Sequence, residues 1–353
     1  MLMSISDRAE LRRKFLPSVR KALVTPLIAL FVLSGVVAQP ATAATLKLAT
    51  LSPEGSAWMK LLRKHAKSVE ERTGGEVKFK IYPGGVMGDD KAVFRKMRVG
   101  QLHGAVVTSG GVIQAYPDFA LYNLPYLFES DAEVDYVRKH LDTRLMDGLA
   151  ENKFIGFGMA EVGFGYPMMQ KQATSVAQMR ELQVWAPDND PGFLRAYQAF
   201  GVTPVPLPIA DVLAGLQTGL IDSIGSPPIG AIALQWYTQV QYALDLPLMY
   251  VFGTLVITER AFKKLSPEHQ AIVREELGEA VRIVDGSSRK DHLSARNALT
   301  AQGIEWLTPS TSELDEWRRL ATQSREDTVG DGYVSRALYD ETIALLEKFR
   351  AGS

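Results

Sequence analysis

The residue types that perform catalysis do not assemble into a catalytic motif in this chain. It contains no cysteine, so it offers no thiol nucleophile, and no Gly-x-Ser-x-Gly turn occurs. The adjacent acids Asp89 and Asp90 are explained by the start of a helix. The histidines show no His-Glu-x-x-His pair and no other metal-ligand spacing; they are His65, His103, His140, His269 and His292. We therefore expect no catalytic residue, metal or cofactor.

A candidate binding strand lies in residues 181–192, Glu-Leu-Gln-Val-Trp-Ala-Pro-Asp-Asn-Asp-Pro-Gly. The pattern predicts a short buried strand over residues 182–186 that stops at Pro187 and opens into a loop. In open α/β sheets, ligands bind beyond the carboxyl ends of the strands. Trp185, the last large side chain of this strand, is therefore expected to face a ligand. The alternative is a tryptophan that packs in the core.

The first part of the chain alternates between strand and helix patterns. Residues 45–51, 77–82 and 105–108 predict strands, and residues 57–72 and 89–99 predict helices between them. This order predicts a parallel sheet with helices on both faces. Ser109 and Gly110 follow the third strand at the edge where ligands bind. Their backbone N–H groups are candidate ligand donors, and a plain turn is the alternative.

The second half contains two features that can connect domains. Residues 161–169 and 248–258 are β-rich and predict segments that cross from one domain to the other. Ser266 and Pro267 form a helix start, with serine as the N-cap and proline at the first position. A helix from there to about residue 302 would be roughly 50 Å long. A helix of that length can lie across two domains.

The first 43 residues have the pattern of a secretory signal peptide. Basic residues precede an apolar run over residues 22–38, and Ala41-Thr42-Ala43 follows it. The rival interpretation is a membrane anchor, but Pro26 interrupts the run, which is shorter than the ~20 residues that a span needs. We expect cleavage after Ala43 and a mature protein in the periplasm.

Composition limits the classes of function and partner. A chain of 353 residues with 46% hydrophobic residues fits two soluble domains. Removing the predicted signal peptide removes six basic and two acidic residues, which changes the net charge from −1 to about −5. This mildly acidic balance argues against nucleic acid as a partner.

Four ordered segments resemble one known family. They are Leu46-Lys-Leu-Ala-Thr with Pro53-Glu-Gly-Ser-Ala-Trp58, Tyr82-Pro-Gly-Gly-Val-Met-Gly-Asp-Asp90, Leu124-Pro-Tyr-Leu-Phe128 and Ala214-Gly-Leu-Gln-Thr-Gly-Leu-Ile-Asp222. Together they resemble the periplasmic substrate-binding proteins of TRAP transporters, the DctP-like family, over nearly all of the mature chain. The resemblance implies an α/β, two-domain periplasmic binding protein-like fold. It also implies an interdomain cleft that closes on a ligand and a long helix spanning both domains.

On this basis the chain is divided into a signal peptide, two domains and a C-terminal part. Residues 1–43 are the signal peptide, residues 44–164 and 254–310 form domain I, and residues 165–253 form domain II. Residues 311–353 are expected to be helices that pack on the domains.

Three positions depart from the family pattern. The family usually has an arginine, which pairs with a substrate carboxylate, where this chain has Trp185, and often a second arginine where it has Gly165. It often has Glu-Asn-Pro where this chain has Gly225-Ser226-Pro227. An arginine binds a carboxylate through a planar fork of donors, whereas a tryptophan offers one N–H and a large apolar face. The departures predict a hydrophobic or amphipathic ligand.

Two alternatives remain open. One is a small organic acid, such as a C4-dicarboxylate, held by other polar groups, for example by Arg195 turned into the cleft. The other, from a different class, is a periplasmic enzyme on a related scaffold.

The predicted ligand site combines strand ends, turns and aromatic residues. Its members are Trp185, Pro187, Phe164, Gly165, Met168, Ser109, Gly110, Leu213, Ser226, Trp236, Phe252 and Trp58. The resemblance implies TRAP membrane subunits as partners. A subgroup resembling this family works instead with a periplasmic tetratricopeptide-repeat protein and has been linked to hydrophobic ligands, which makes such a protein the other expected partner.

Overall fold

The computed structural model describes residues 43–188 and 191–352. The predicted signal peptide lies outside the described residues, apart from Ala43. The strands, in chain order, are β1 Ala44–Thr50, β2 Val77–Tyr82, β3 Gly104–Thr108, β4 Phe154–Met169, β5 Trp185–Pro187, β6 Val205–Leu207, β7 Ser223–Ser226, β8 Tyr242–Leu244, β9 Met249–Thr258 and β10 Glu305–Leu307.

The helices begin and end close to the predicted signals. They are α1 Ala57–Arg72, α2 Asp90–Arg98, α3 Ser109–Val112, α4 Asp131–Glu151, α5 Val176–Met179, α6 Pro191–Ala199, α7 Val212–Thr218, α8 Pro228–Ala233, α9 Glu259–Phe262, α10 Pro267–Ala301, α11 Thr311–Gly330 and α12 Arg336–Ala351. Short 3-10 helices cover Pro117–Asn123, Ile209–Asp211 and Trp236–Gln239.

The main sheet is mixed rather than parallel. Its strand order is β10-β8-β4-β9-β3-β1-β2, and β7 also pairs with β4. β1 runs parallel to β2 and β3, but β9 runs antiparallel to both β3 and β4. The predicted parallel arrangement of the first three strands is confirmed, whereas the crossing strands, whose directions were not predicted, run antiparallel. Hydrophobic patterning marks where a strand lies but does not give the direction of a neighbour that is remote in the chain.

One strand, β4, crosses the molecule without a break. It contains the predicted crossing segment, residues 161–169, but begins already at Phe154, and it pairs with β9 before it pairs with β7 and β8. Two register shifts, one of them between Glu161 and Gly163, take up its bends. The predicted domain boundaries fall within β4 and β9, and they stay a prediction.

The long helix α10 confirms its predicted start. The Ser266 hydroxyl accepts a hydrogen bond from the His269 backbone N at 3.2 Å, and Pro267 occupies the first turn. The helix has 35 residues, which makes it about 50 Å long. It packs against β4 along its length, against α1 near its start and against α8. Within the described residues, no helix has both the length and the apolar character that crossing a bilayer requires.

The strand that carries Trp185 is shorter than predicted and lies outside the main sheet. β5 covers Trp185–Pro187 and pairs in parallel with β6 alone, while Val184 makes an isolated bridge to Ser223. Prolines 187, 206 and 208 limit this pairing because they cannot donate to a neighbouring strand.

Candidate functional site

Trp185 is buried between its own strand and the 3-10 helix that follows α8. Its side chain is 4% exposed, and its ring meets Trp236 edge-on with centroids 5.3 Å apart. Its Nε1 donates a hydrogen bond to the Leu207 carbonyl oxygen on β6 at 2.9 Å. The single polar atom of the indole is therefore used inside the protein. Trp185 lines none of the cavities that we describe below, and its role as a ligand residue stays a prediction.

The other two departures from the family pattern surround Met249. A Cβ atom added at Gly165 would lie 3.0 Å from the Met249 Cγ. A Cβ atom added at Gly225 would lie 3.6 Å from both the Met249 Cε and the Tyr197 hydroxyl oxygen. The space where the resemblance implies polar side chains is therefore occupied by a methionine and bordered by a tyrosine hydroxyl.

Arg195, the candidate replacement for the missing arginine, points elsewhere. Its Nη1 lies 3.1 Å from the Asp331 Oδ2, and its guanidinium carbon lies 5.2 Å from the centroid of the Tyr333 ring. Both partners follow α11, at the turn into α12. In this conformation the guanidinium does not lie beside Trp185.

Carboxylates cluster at the end of the strand that carries Trp185. Burial raises the pKa of Asp188, and the negative charges of Asp89 and Asp211 raise it further, while Lys91 lowers it. Three carboxylates and one ammonium group therefore set the local charge. An anionic ligand that approached this strand end would be repelled.

An apolar cavity lies between α6 and the 3-10 helix Pro117–Asn123; we call it the α6 cavity. The volume open to the centre of a water molecule is about 30 Å³, which is room for roughly two waters. None of the described residues that line it is charged. Its apolar walls include Ile113, Leu124, Phe193, Phe200, Leu248 and Met249.

Two polar side chains, Tyr197 and Asn123, belong to the wall of the α6 cavity. Tyr197 is 7% exposed, and burial raises its pKa above the ordinary value. Asn123 donates through Nδ2 to the Ser109 Oγ at 2.9 Å and to the Tyr250 carbonyl oxygen at 3.0 Å. Its Oδ1 is buried and has no partner among the described residues.

The Asn123 Oδ1 and the Tyr197 hydroxyl determine which ligand groups the cavity can recognise. Leaving a buried polar atom unpaired costs about 1–3 kcal/mol, so a bound molecule that pairs with it recovers that cost. The Asn123 Oδ1 accepts hydrogen bonds only, whereas the Tyr197 hydroxyl can donate or accept. This arrangement suits a ligand hydroxyl or amide, and it does not suit a carboxylate beside Asn123.

A second, polar cavity lies between β4 and α10 and shares no lining residue with the α6 cavity. It has about 240 Å³ open to the centre of a water molecule, and its walls include Glu129, Asp131, Glu161, Arg289 and His292. Burial raises the pKa of Glu161, which accepts hydrogen bonds at 3.3 Å from both the Arg289 Nη2 and the Tyr250 hydroxyl.

Beside this cavity, a partly buried arginine forms hydrogen bonds to residues of α4, α10 and β4. Arg138 of α4 donates to Asp142 at 3.0 Å, to Asp285 of α10 at 2.8 Å and to the Met159 carbonyl oxygen of β4 at 3.1 Å. Asp285 also accepts from the Glu161 backbone N at 2.8 Å. Every charge in this group has a partner, so fastening α10 to the crossing strand explains the group without a catalytic role. Among the described residues, no cluster of three or more acids or histidines is arranged to hold a metal.

The structure brings some of the predicted site residues together. Trp185 meets Trp236, and Phe164 and Phe252 both pack against Tyr250. Ser109 accepts the hydrogen bond from Asn123 and so lies next to the α6 cavity.

The remaining predicted residues are separate from that cavity. Met168 is fully buried, and the Ser226 hydroxyl donates to the Pro227 carbonyl oxygen at 2.9 Å. Trp58 packs in a different apolar cluster with α1 and α10. Pro187, Gly110 and Leu213 are partly exposed. None of the twelve predicted residues lines the α6 cavity, and one, Phe164, lines the polar cavity. Their ligand roles stay predictions.

Comparison with known families decides the assignment. The family model described as "Bacterial extracellular solute-binding protein, family 7", DctP, matches residues 48–328. The chain belongs to this family. The resemblance to DctP-like substrate-binding proteins of TRAP transporters is therefore confirmed, and family membership places this chain among binding proteins.

Individual relatives of this DctP-family protein are distant. The 2,3-diketo-L-gulonate-binding periplasmic protein YiaO of Escherichia coli (strain K12) is 27% identical over 247 residues, which are 68% of this chain and 74% of YiaO. A TRAP periplasmic solute-binding protein from Xanthobacter autotrophicus Py2, solved with bound β-D-galacturonate, has a TM-score of 0.77 at 17% identity and covers 86% of this chain and 99% of its own.

A second solved structure is the sugar acid binding protein DctPAm from Advenella mimigardefordensis strain DPN7T in complex with galactonate. It has a TM-score of 0.79 at 17% identity and covers 87% of this chain and 99% of its own. At these identities the likeness shows the fold alone. It confirms the predicted α/β, two-domain periplasmic binding protein-like architecture.

Sequence reasoning missed the residues that line the α6 cavity of this DctP-family protein. Tyr197 lies at a core-facing position of α6, and no local pattern reveals that it borders a cavity. Asn123 offered a signal, because it is a polar residue within an irregular aromatic stretch, Tyr122-Asn123-Leu124-Pro125. Tyr333 follows α11 and carries no local signal.

Proposed function

We propose that this protein binds a largely apolar or amphipathic solute that bears a hydroxyl or amide group, in a cleft that includes the α6 cavity. The observation that carries the proposal is the unpartnered Asn123 Oδ1, in an uncharged apolar wall that also contains the Tyr197 side chain. Such a wall rewards apolar surface at about 25 cal/mol per Å².

Charge supports the same ligand class. A carboxylate buried without a charged partner pays a large desolvation cost. The positions of the family arginines hold Trp185 and Gly165, and the nearby strand end carries Asp89, Asp188 and Asp211. The α6 cavity holds roughly two waters, so a larger solute requires α6 to move away from the 3-10 helix Pro117–Asn123. Such a movement is consistent with a cleft that closes on its ligand.

The second candidate is a binder of a small organic acid. The names of the relatives favour it: the YiaO name specifies diketogulonate, and the solved structures contain galacturonate and galactonate. Arg195 is the residue that would serve it, after exchanging Asp331 for the ligand carboxylate. A periplasmic enzyme remains a third possibility from another class, with no observed group of residues in its favour.

For location and partners, we propose export by the predicted signal peptide, cleavage after Ala43, and delivery of the solute in the periplasm. The family supports TRAP membrane subunits as the recipient. A periplasmic tetratricopeptide-repeat protein is the alternative recipient, and it follows from the same apolar site.

The direct test is native mass spectrometry of the freshly purified mature protein, followed by extraction and identification of the bound molecule. We expect an apolar or amphipathic molecule with a hydroxyl or amide group. Titration calorimetry with 1-decanol, galactonate, galacturonate and succinate follows, on the wild type and on Arg195→Gln. We expect decanol to bind both proteins and the three acids to bind neither tightly. Tight binding of an acid that Arg195→Gln abolishes would establish the second candidate instead.

A further inference from the structure

The α6 cavity has a third wall, contributed by the end of the chain. Thr328 at the end of α11 and Tyr333 in the turn before α12 both line it. The family match ends at residue 328, so this turn, residues 331–335, lies beyond the matched region. We call residues 331–335 the C-terminal elbow.

The elbow is fastened to α6 on one side. Asp331 pairs with Arg195 of α6 at 3.1 Å, and the same guanidinium stacks on the Tyr333 ring at 5.2 Å. Gly332 adopts a positive φ of 74°, which turns the chain between the two contacts. Tyr333 is therefore positioned by α6, which forms the opposite part of the cavity wall.

On its other side, the elbow is fastened to the 3-10 helix that carries Asn123. Asp118 of that helix accepts hydrogen bonds from the Ser335 backbone N at 2.7 Å and the Ser335 hydroxyl at 2.9 Å. The Tyr116 hydroxyl donates to the same carboxylate at 2.9 Å. One turn thus joins the two elements that face each other across the cavity.

We propose that Tyr333 contacts the bound solute and that the C-terminal elbow sets the length of solute that the site accepts. The inference rests on the proposed function, because it takes the α6 cavity as part of the ligand site. A ring at the end of an apolar cavity limits how far an apolar chain can extend.

The test measures binding of straight-chain alkanols from 1-hexanol to 1-dodecanol by calorimetry, on the wild type, Tyr333→Ala and Tyr136→Ala. Tyr136 is the matched control, because it supports α12 through the Phe349 ring at 5.3 Å but does not line the cavity. In Tyr333→Ala we expect the preferred alkanol to become longer, with roughly fourfold tighter binding for each methylene newly accommodated. In Tyr136→Ala we expect the wild-type preference.

A second measurement needs no variant. The wild-type protein is irradiated with a decanol that carries a diazirine at its terminal carbon, and the labelled peptide is identified by mass spectrometry. We expect label within residues 328–335. An unchanged length preference in folded Tyr333→Ala, or label confined to α6 and β9, would overturn this inference and leave the proposed function intact. Absence of alkanol binding to the wild type would overturn both.

Discussion

The indole Nε1 of Trp185 donates a hydrogen bond to the Leu207 carbonyl oxygen, across the two-stranded sheet of β5 and β6. The contact joins two strands that have no other strand partners. In this conformation the Trp185 indole connects the two strands to each other.

The first prediction concerns this hydrogen bond. Trp185→Phe should lower the free energy of unfolding by about 1–3 kcal/mol, because the Leu207 carbonyl loses its donor. Trp317→Phe is the matched control, since the Trp317 Nε1 donates to the Thr174 carbonyl oxygen at 2.8 Å. Urea unfolding measures both. We expect neither variant to change the affinity for the co-purified solute more than twofold. A tenfold loss of affinity in Trp185→Phe alone would instead show that Trp185 contributes to ligand binding.

The second prediction concerns the Tyr197 hydroxyl. Tyr197→Phe should change stability little, because the buried ring is kept and only its hydroxyl is removed. It should weaken solute binding roughly tenfold if the ligand pairs with the hydroxyl. Tyr122→Phe is the contrast, since the Tyr122 hydroxyl donates to Asp142 at 2.9 Å and its loss should destabilise the protein. Unfolding curves and calorimetry separate the two effects. Unaltered affinity in Tyr197→Phe would remove that hydroxyl from the site.

The third prediction concerns Arg138, which holds α4, β4 and α10 together. Arg138→Met should cost up to about 3 kcal/mol of stability, because it leaves the partly exposed Asp142 and Asp285 without their counter-charge. Adding Asp285→Asn should recover part of the loss, which denaturant unfolding of the single and double variants would show. Arg282→Met on the exposed face of α10 is the control and should be neutral. A loss in Arg138→Met no larger than in the control would show that the network does not stabilise the crossing strands.

The fourth prediction concerns pH. Burial raises the pKa of Asp90 from 3.8 to about 6, although the Thr108 backbone N and hydroxyl both donate to it. The folded protein therefore binds more protons at this residue than the unfolded chain does between about pH 4 and 6. Stability should fall as the pH rises through that window, by about 3 kcal/mol at most from this group.

The comparison with Asp90→Asn isolates that contribution. The variant cannot titrate at position 90, so the difference in unfolding free energy between wild type and variant should change between pH 4 and 6. Asp89→Asn is the control, because an asparagine can also accept the N-cap hydrogen bond from the Ala92 backbone N. Urea unfolding at four pH values gives the curves. Parallel curves for wild type and Asp90→Asn would refute the prediction.

Local rules predicted much of the secondary structure. The Ala57–Arg72 helix and the start of α10 at Ser266 and Pro267 follow from spacing and capping, which act within a few residues. The directions of β4 and β9 did not follow, because β9 pairs with β3 across about 150 residues of chain. The limits of the short strand β5 were not predicted either, because its pairing depends on which proline-containing strand lies beside it.

By itself, the sequence determined the family, the α/β class and the long helix. Each of these depends on residue identity or on spacing along the chain. Only the tertiary structure decided that the Trp185 N–H is satisfied internally, that Arg195 pairs with Asp331, and that Asn123, Tyr197 and Tyr333 line one cavity. The physical reason is that hydrogen-bond partners and cavity walls depend on which distant segments pack together. Residue spacing along the chain does not predict that packing.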